Sequence, residues 1–560
     1  MKIISTLQFF SLISTCLMLH SSQLQSKESS TKPNIIFILA DDLGYMDLAA
    51  YASKIKNIDR SELFYETPHI DQLVDQGVMF TQAYASNLCS PSRSSIITGK
   101  HSSRHGFMTA TPGFYETYYN QGQTPPAGFA AQDGFFNKTD RAPWPLTQAM
   151  TNIALPLDEV TFAEAMTDYK SAFIGKWHLG GHGSKGFAPA DQGFEEIAWF
   201  DAGGSPYFNW RKRWDLKKKQ HEKMAQSELH QGKSGAATGK DYLTDDLAEQ
   251  ACQYIKQNQK SDKPFLLYFC QFAVHTPLQA KKADIKHFAQ KKTRGWNQQS
   301  NPTYAGMLKA MDDCVGAMIQ TLKDSNQLDN TIIIFMSDNG GIVHPDENGK
   351  ATITNNTPLK GEKALLYEGG IRVPLFVWYP SKYTAKTCDR AVDINDIFPT
   401  LLDLSGQSLD SYKTYGDGQS LVPLLADPQS KAYSRDSFYW HYPFYVQVGL
   451  TKGALTAPRS AIRQGDWKLI LNWEGGLELY NLKSDLAEAN NLSQHEPERT
   501  KQLFKKLNHW INSTVETRYI PIRNPHYKAQ LKQARSFKNI FSAHQSPWPL
   551  GRTSRIKTSE

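Results

Sequence analysis

Cys89 stands in "SNLCSPSRSSIITGKH", residues 86–101, among small hydroxyl residues and four positions before Arg93. A packing thiol sits in apolar surroundings, so a thiol in a polar stretch beside a guanidinium calls for a chemical role. Other reactive side chains occur in short groups: Asp41 and Asp42 in "ILADDLGY", Lys176 and His178 in "GKWHLGG", His275 in "FAVHTP", and Asp338 and Asn339 in "SDNGG". Three acids and an amide are all short oxygen donors, the set that a hard divalent cation such as Ca²⁺ or Mg²⁺ takes. Adjacent aspartates repel one another unless a cation lies between them. Either pair alone would pass for a helix cap or a turn. Both together, each closing an apolar run, point to a metal.

The elements that must position these groups follow from the apolar runs. "PNIIFILADD" (33–42), "SAFIGKWHLG" (171–180), "PFLLYFCQFAVHTP" (264–277) and "NTIIIFMSDNGG" (330–341) have strand length and break into polar or glycine-containing turns. Between them "DEVTFAEAMTDY" and "TYAGMLKAMDDCVGAMIQTLKDS" carry helical spacing. This alternation predicts an α/β fold, a large mainly parallel sheet sandwiched by helices. In open α/β sheets the site lies in the crevice beyond the strand C-termini. Asp41, Asp42, Lys176, His178, His275, Asp338 and Asn339 all close such runs.

At 560 residues the chain exceeds the ~250–300 at which one core stops growing, so a large domain plus a smaller one is expected. Residues 1–26, with Lys2 and an apolar run to Leu19, have the pattern of a signal peptide. They predict an exported protein, periplasmic or secreted, and no other stretch is apolar enough for a stable membrane span. With Cys16 inside the signal segment, the remaining cysteines, Cys252, Cys270, Cys314 and Cys388, show no CxxC pair and read as buried thiols or one incidental bridge. Of the net charge of +7, +6 lies in residues 528–560 and the body is formally neutral. That tail is expected to be a solvated extension or a contact for an anionic surface. Nucleic acid is not an expected partner, because no binding motif is present.

"CSPSR" followed by "SSIITGK" resembles the signature of the type I sulfatases, members of the alkaline phosphatase superfamily in which this cysteine becomes Cα-formylglycine. "ADDLGY", "GKWHLG", "FAVHTP", "SDNGG", "GEKALLYEGGIRVP" and "DIFPTLLDLSG" follow in the family's order, and the similarity spans roughly residues 33 to 495. A cysteine phosphatase would need its arginine six positions on, where Ser95 stands.

The resemblance implies an alkaline-phosphatase-like fold and one calcium ion held by Asp41, Asp42, Asp338 and Asn339, with the modified Cys89 completing the shell. It implies a partner, the formylglycine-generating maturation enzyme. Arg93 would hold the formylglycine region, Lys176 and Lys363 the sulfate oxygens. His178 would receive a proton from the hydrated aldehyde, and His275, alone or with Lys363, would protonate the leaving alcohol. Lys360 stands one turn before Lys363 as the reserve for its role, and Lys100 is expected to act behind the first layer of contacts. The expected reaction is hydrolysis of O-sulfate esters on a carbohydrate. A phosphonate or phosphodiester hydrolase of the same superfamily and a non-catalytic binder of sulfated glycans are the rival readings.

Residues 102–156 are rich in Gly, Pro and aromatic residues, a composition suited to sugar rings. The strand meander at 461–485 and the amphipathic "EPERTKQLFKKLNHWI" predict a smaller subdomain of antiparallel strands plus a helix. "WHYP", Trp440 to Pro443, is a candidate to reach the pocket. The expected organisation is a catalytic domain over 33–430, the subdomain over 431–515 and a basic extension over 516–560.

Overall fold

A computed structural model describes residues 32–110, 143–147, 149, 151–152, 154–180, 186–200, 203–208, 210, 241–292, 297–345, 352–447 and 455–530. The signal-peptide segment, most of the aromatic-rich stretch and residues 531–560 of the basic tail lie outside them.

Eight strands form one sheet: β1 Asn34–Ala40, β2 Val78–Tyr84, β3 Lys170–Lys176, β4 Glu195–Phe200, β5 Phe265–Cys270, β6 Thr331–Ser337, β7 Arg372–Trp378 and β8 Lys386–Asp393. Four more form a second sheet: β9 Ser437–Tyr442, β10 Arg459–Gln464, β11 Trp467–Asn472 and β12 Leu477–Asn481. The helices that matter below are α1 Pro68–Gln76, α2 Cys89–Thr98, α3 Leu243–Gln257, α4 Pro302–Asp324, α5 Ile397–Leu404 and α6 Pro497–Thr514.

The large sheet has the order β4-β3-β5-β1-β6-β7-β2-β8. Every neighbouring pair is parallel except the two made by β7, so the sheet is mixed but mostly parallel. Each residue of β5, β6 and β7 is buried, as a parallel sheet requires when both faces are covered. That explains the unbroken apolar runs. Pro374 interrupts β7 and hides its strand pattern in the sequence. Proline is tolerated there because the β2–β7 register shifts between Phe80 and Ala83, a bulge opposite residues 373–375.

Helix α4 is set by its ends and one face. Asn301 accepts from the Thr303 and Tyr304 amides at 3.0 and 3.2 Å, and Pro302 follows at the first position, where its missing N–H costs nothing. Asp312 on α4 accepts the His69 and Ile70 amides at 3.1 and 2.8 Å, docking the start of α1. The helical pattern at 158–169 yields only the single turn Phe162–Ala165. Thr161 and Glu164 form a capping box there, but β3 must begin at Lys170 and leaves no room for a second turn.

The second sheet is an antiparallel meander in the order β9-β10-β11-β12, and its register separates two faces. The row Tyr439, Ile462, Leu469 and Leu479 lies on the side covered by α6, where Trp510 stacks on Tyr439 with ring centres 4.7 Å apart. The adjacent row Phe438, Arg463, Lys468 and Tyr480 points the other way, toward the large sheet. The described residues from Pro33 onward form one compact unit. No helix among them is long and apolar enough to cross a membrane. All five cysteines in them are free thiols.

Candidate active site

The register of the sheet brings the reactive groups to one level. Gly175 pairs with Cys270, Cys270 with Leu39, and Ala40 with Ser337. Lys176, Asp41 and Asp338, each the next residue along, therefore emerge side by side at the C-terminal edge. β2 runs the same way and delivers Cys89 to that edge as the first residue of α2. The "CSPSR" stretch, polar enough to read as a loop, is a helix with all ten residues buried. It ends at Gly99, whose φ of +65° and closeness to Tyr412 exclude a side chain.

The acids interlock with the cations. Arg93 donates to Asp338 Oδ2 through Nε and Nη2 at 3.0 and 2.8 Å, and through Nη1 to the Lys176 carbonyl at 2.6 Å. Lys176 Nζ donates to Asp41 Oδ2 at 2.7 Å and to the Gly203 carbonyl at 2.6 Å. Lys363 Nζ lies 2.7 and 2.9 Å from the two oxygens of Asp42. Asn339 Nδ2 donates to Asp42 Oδ1 at 2.8 Å, which leaves its own carbonyl oxygen toward other partners. His275 Nδ1 is 2.6 Å from the Thr276 carbonyl, an acceptor, so Nδ1 carries the proton and Nε2 faces Asp42 Oδ2 at 3.5 Å. His178 is buried, with φ of +53°, and Asp42 has φ of +59°. Such backbone is held against its preference, as is common where side chains must be aimed.

The electrostatics separate the carboxylates. Burial, and then the charges of Asp338 and Asp42 against the opposing pull of Lys176, raise the Asp41 carboxyl above its ordinary range. At Asp42 burial acts upward too, but Lys363, His275 and Lys176 outweigh it and the pKa is lowered. Burial pulls Lys363 down, yet Asp42, Cys89 and Asp41 hold its ammonium well up. Burial pushes the Cys89 thiol up, against Lys176 and Lys363. His275 is lowered to about 3, by burial first and against Asp42.

This arrangement fits a hard cation. Oxygens of Asp41, Asp42 and Asp338 lie within 4.8 Å of one another. Asp41 Oδ1 and Asn339 Oδ1 are buried with no hydrogen-bond partner among the described residues. Buried oxygens without partners mark the place of an ion or water.

Lys360 and Lys363 part company. Lys360 Nζ donates to the Glu488 carbonyl at 2.9 Å and lies 4.2 and 5.1 Å from the ring centres of Tyr367 and Tyr480. Lys363 alone joins the acid cluster. Lys100 pairs with Glu159 at 2.6 Å and lies over Tyr415, contacts that do not include the acids. Of "WHYP", Trp440 is taken up by a 2.9 Å bond to the Ala85 carbonyl. Tyr442 is near enough to Cys89 for the thiol to contribute to its raised pKa, after burial.

Sequence reasoning did not single out Gly203 and Gly204. Gly203 holds Lys176, and a Cβ on Gly204 would lie 3.0 Å from the His275 ring. It also missed Asn356, which donates to the carbonyls of Gly341, Gly361 and Gly369 at 2.9, 3.1 and 3.1 Å and so ties the Asp338 turn to the Lys363 segment. No local pattern marks any of them. Their importance comes from chain segments far apart in sequence.

The family model described as Sulfatase matches residues 33–407 of the chain. The chain belongs to the sulfatase family. A second model, N-sulphoglucosamine sulphohydrolase, C-terminal, matches residues 361–516. This sulfatase is 29% identical over 553 residues to a "Sulfatase" of Formosa agariphila, covering 92% of this chain and 94% of that one. It is 29% identical over 415 residues to N-acetylgalactosamine-6-sulfatase of Homo sapiens, covering 73% of this chain and 68% of the human one. Among solved structures, Ps i-CgsB in complex with k-i-k-neocarrahexaose superposes with a TM-score of 0.64 at 27% identity, covering 87% of this chain and 96% of the other. The fold is that of the alkaline-phosphatase-like sulfatases, and the chain is a sulfuric ester hydrolase.

Proposed function

We propose that this sulfatase removes O-sulfate from a sulfated carbohydrate, a polysaccharide or its oligosaccharides, with Cys89 converted to formylglycine and one calcium ion bound. The observation that carries the reading is the meeting of Cys89, three carboxylates, the unpartnered oxygens of Asp41 and Asn339, and the ammonium groups of Lys176 and Lys363 at one sheet edge. A buried thiol whose pKa is pushed up is a poor thiolate nucleophile, which supports modification rather than direct attack. The carbohydrate assignment draws on the names of relatives, N-acetylgalactosamine-6-sulfatase among them, and on the neocarrahexaose complex.

Asp41, Asp42, Asp338, Asn339 and the modified Cys89 would hold calcium, which supplies a Lewis acid for hydroxyl deprotonation and charge neutralisation. The hydrated aldehyde supplies one hydroxyl to attack sulfur and a second whose deprotonation releases sulfate. Arg93 keeps Asp338 and the end of β3 in place through three nitrogens. Lys176 and Lys363 turn from Asp41 and Asp42 toward the sulfate oxygens and offset the charge that grows there. His178 takes the proton of the second hydroxyl. His275, its proton on Nδ1 and its pKa lowered, has its Nε2 unprotonated at neutral pH. Donation to the leaving oxygen therefore falls to the Lys363 ammonium, and His275 Nε2 is left to accept a hydrogen bond there. We place the catalytic unit at 33–430, the docked subdomain at 431–515, the basic extension at 516–560, and a signal peptide at 1–26 of an exported chain matured by a formylglycine-generating enzyme.

The test is peptide mass analysis of Cys89 combined with sulfate release. Protein from a maturation-competent host should carry aldehyde or its hydrate and cleave 4-nitrophenyl sulfate faster than a phosphodiester or phosphonate. Full activity with unmodified Cys89, or the reverse preference, overturns the reading. Screening sulfated galactans, fucoidan and glycosaminoglycan oligosaccharides for sulfate release then tests the carbohydrate assignment.

A further inference from the structure

The segment that carries Lys363 is pinned on two sides. Toward the site, Ala364 N donates to the Asn87 carbonyl at 2.7 Å, Asn87 Nδ2 returns a 2.9 Å bond to the Ala364 carbonyl, and Lys363 N reaches the Gly341 carbonyl at 3.2 Å. Ala364 has φ of +76°, a conformation that an alanine keeps only when its surroundings impose it.

On the outer side the restraint comes from the second sheet. At one end of the segment Lys360 is held by the Glu488 carbonyl and the Tyr367 and Tyr480 rings. At the other, the Glu368 amide donates to Glu488 Oε2 at 2.7 Å. Lys468 Nζ lies 3.0 Å from both Glu368 Oε1 and Glu488 Oε1, and its side chain and that of Glu368 are fully buried. Tyr84 OH donates to Glu368 Oε2 at 2.7 Å, and Arg463 reaches Tyr84. Tyr367 OH and Tyr480 OH both donate to Glu478 Oε2, at 2.7 and 2.6 Å.

A β-sheet that only needed to dock would present an apolar face. This one sets the buried charges of Arg463 and Lys468 among Phe438, Trp440 and Ile470 on the docked side. Burying charges costs several kcal/mol per ion, and well-packed apolar residues often serve stability better. The use of such a network is specific placement.

We propose that the second sheet is the positioning device for Lys363: Lys468 and Glu488, with Lys360, clamp both ends of segment 360–368 so that the Lys363 ammonium is presented to sulfate. None of the three is a catalytic residue; each acts through Lys363. The proposal rests on the reading of Lys363 as a sulfate ligand. Without the clamp the segment keeps its inner bonds but loses the fixed distance between its ends, and the Lys363 ammonium, which rests on Asp42, is no longer held where it can turn to sulfate.

The test compares two affinities on the full-length protein by titration calorimetry: Ca²⁺ for the metal-free form, and inorganic sulfate for the Ca²⁺-loaded form. Glu488→Gln and Lys360→Met are the variants, chosen because Lys468→Met leaves two buried carboxylates unpaired and can fail to fold. Both should weaken sulfate about tenfold, the lower end of what loss of a supporting contact costs, while Ca²⁺ affinity is not weakened. The kcat/KM for 4-nitrophenyl sulfate should fall in parallel. Unchanged sulfate affinity in both variants, or equal weakening of Ca²⁺ and sulfate, overturns the proposal, because a merely structural contact would spare both or damage both. If the unmutated protein binds sulfate but hydrolyses no sulfate ester, the functional reading fails and the affinity comparison still decides the clamp. If it binds no sulfate, both fall.

Discussion

Two buried clusters of acids and cations lie on either side of the Lys363 segment, and they are built to different ends. At the sheet edge, Asp41, Asp42 and Asp338 face Arg93, Lys176 and Lys363, yet Asp41 Oδ1 and Asn339 Oδ1 keep unpartnered oxygens. At the docked sheet, Glu368 and Glu488 close around Lys468, with Tyr84 and the Glu368 amide taking further carboxylate oxygens. The first cluster, beside its own cations, has a place that fits one more; in the second every carboxylate oxygen lies within 3.0 Å of Lys468, Tyr84 or the Glu368 amide. Similar chemistry thus serves a binding site in one place and a fixed joint in the other. The difference lies in how near the cation stands: Lys468 Nζ is 3.0 Å from Glu488 Oε1, whereas Arg93 Nη2 is 3.8 Å from Asp41 Oδ1.

The sharpest test of this contrast is removal of one acid from the site. Asp338→Ala takes away a cation ligand and both carboxylate bonds of Arg93, and sulfate-ester turnover should fall by more than about a hundredfold, measured as kcat/KM. The joint predicts the opposite balance. Lys468→Met should destabilise the fold by about 3–5 kcal/mol, the cost of stranding buried charges, read as a shift in urea midpoint. Stabilisation by added Ca²⁺ should be lost in Asp338→Ala and kept in Lys468→Met; equal Ca²⁺ stabilisation of the two variants would erase the contrast.

A smaller effect is expected from the backbone beside the histidines. Gly204→Ala puts a methyl 3.0 Å from the His275 ring, so activity should drop about tenfold while the melting temperature hardly moves. Ca²⁺ should raise the melting temperature of metal-free protein in a concentration-dependent way, because it binds the folded state alone. A chelator that changes neither melting nor turnover would remove the metal from the reading.

The smallest effect is a pH slope. Burial first, and the charge of Glu368, raise Glu488 from 4.5 to about 7 against the pull of Lys468. Between those values the folded state holds a proton that the unfolded chain has lost, so stability falls as pH rises through the window. Glu368 is displaced downward, to about 2, by Lys468 and the arginines against burial. Its stabilising contribution is present above 4.5 and fades as pH falls toward 2. Compared with Glu488→Gln, the unmutated protein should therefore lose stability from about pH 5 to about pH 7, by at most about 1.4 kcal/mol per unit. Parallel denaturation curves over that range would show that Glu488 stays ionised.

Much of this was legible along the chain because the parallel sheet writes itself locally. Strands buried on both faces are unbroken apolar runs, and the residues that close them are the ones that reach the crevice. Asp41, Asp42, Lys176, His178, His275, Asp338 and Asn339 needed only that rule, and Cys89 only its polar neighbours. β7 escaped notice because Pro374 contradicts the rule and a bulge in its partner resolves the contradiction.

What the amino-acid sequence by itself determined is the order of the strands' closing residues, and hence the donor set for a hard cation. The tertiary structure decided which lysine joins it. Lys360 and Lys363 are three residues apart and chemically identical; register with "YEGGIRVP" favours Lys363 and keeps Lys360 in reserve, and only tertiary contacts decide between them. Only the docking of the second sheet draws Lys360 to Glu488 and Tyr480 and leaves Lys363 beside Asp42. The physical reason is distance along the chain: the partners of Lys360 lie 120 and 128 residues away, and a contact of that span exists only once the fold has closed.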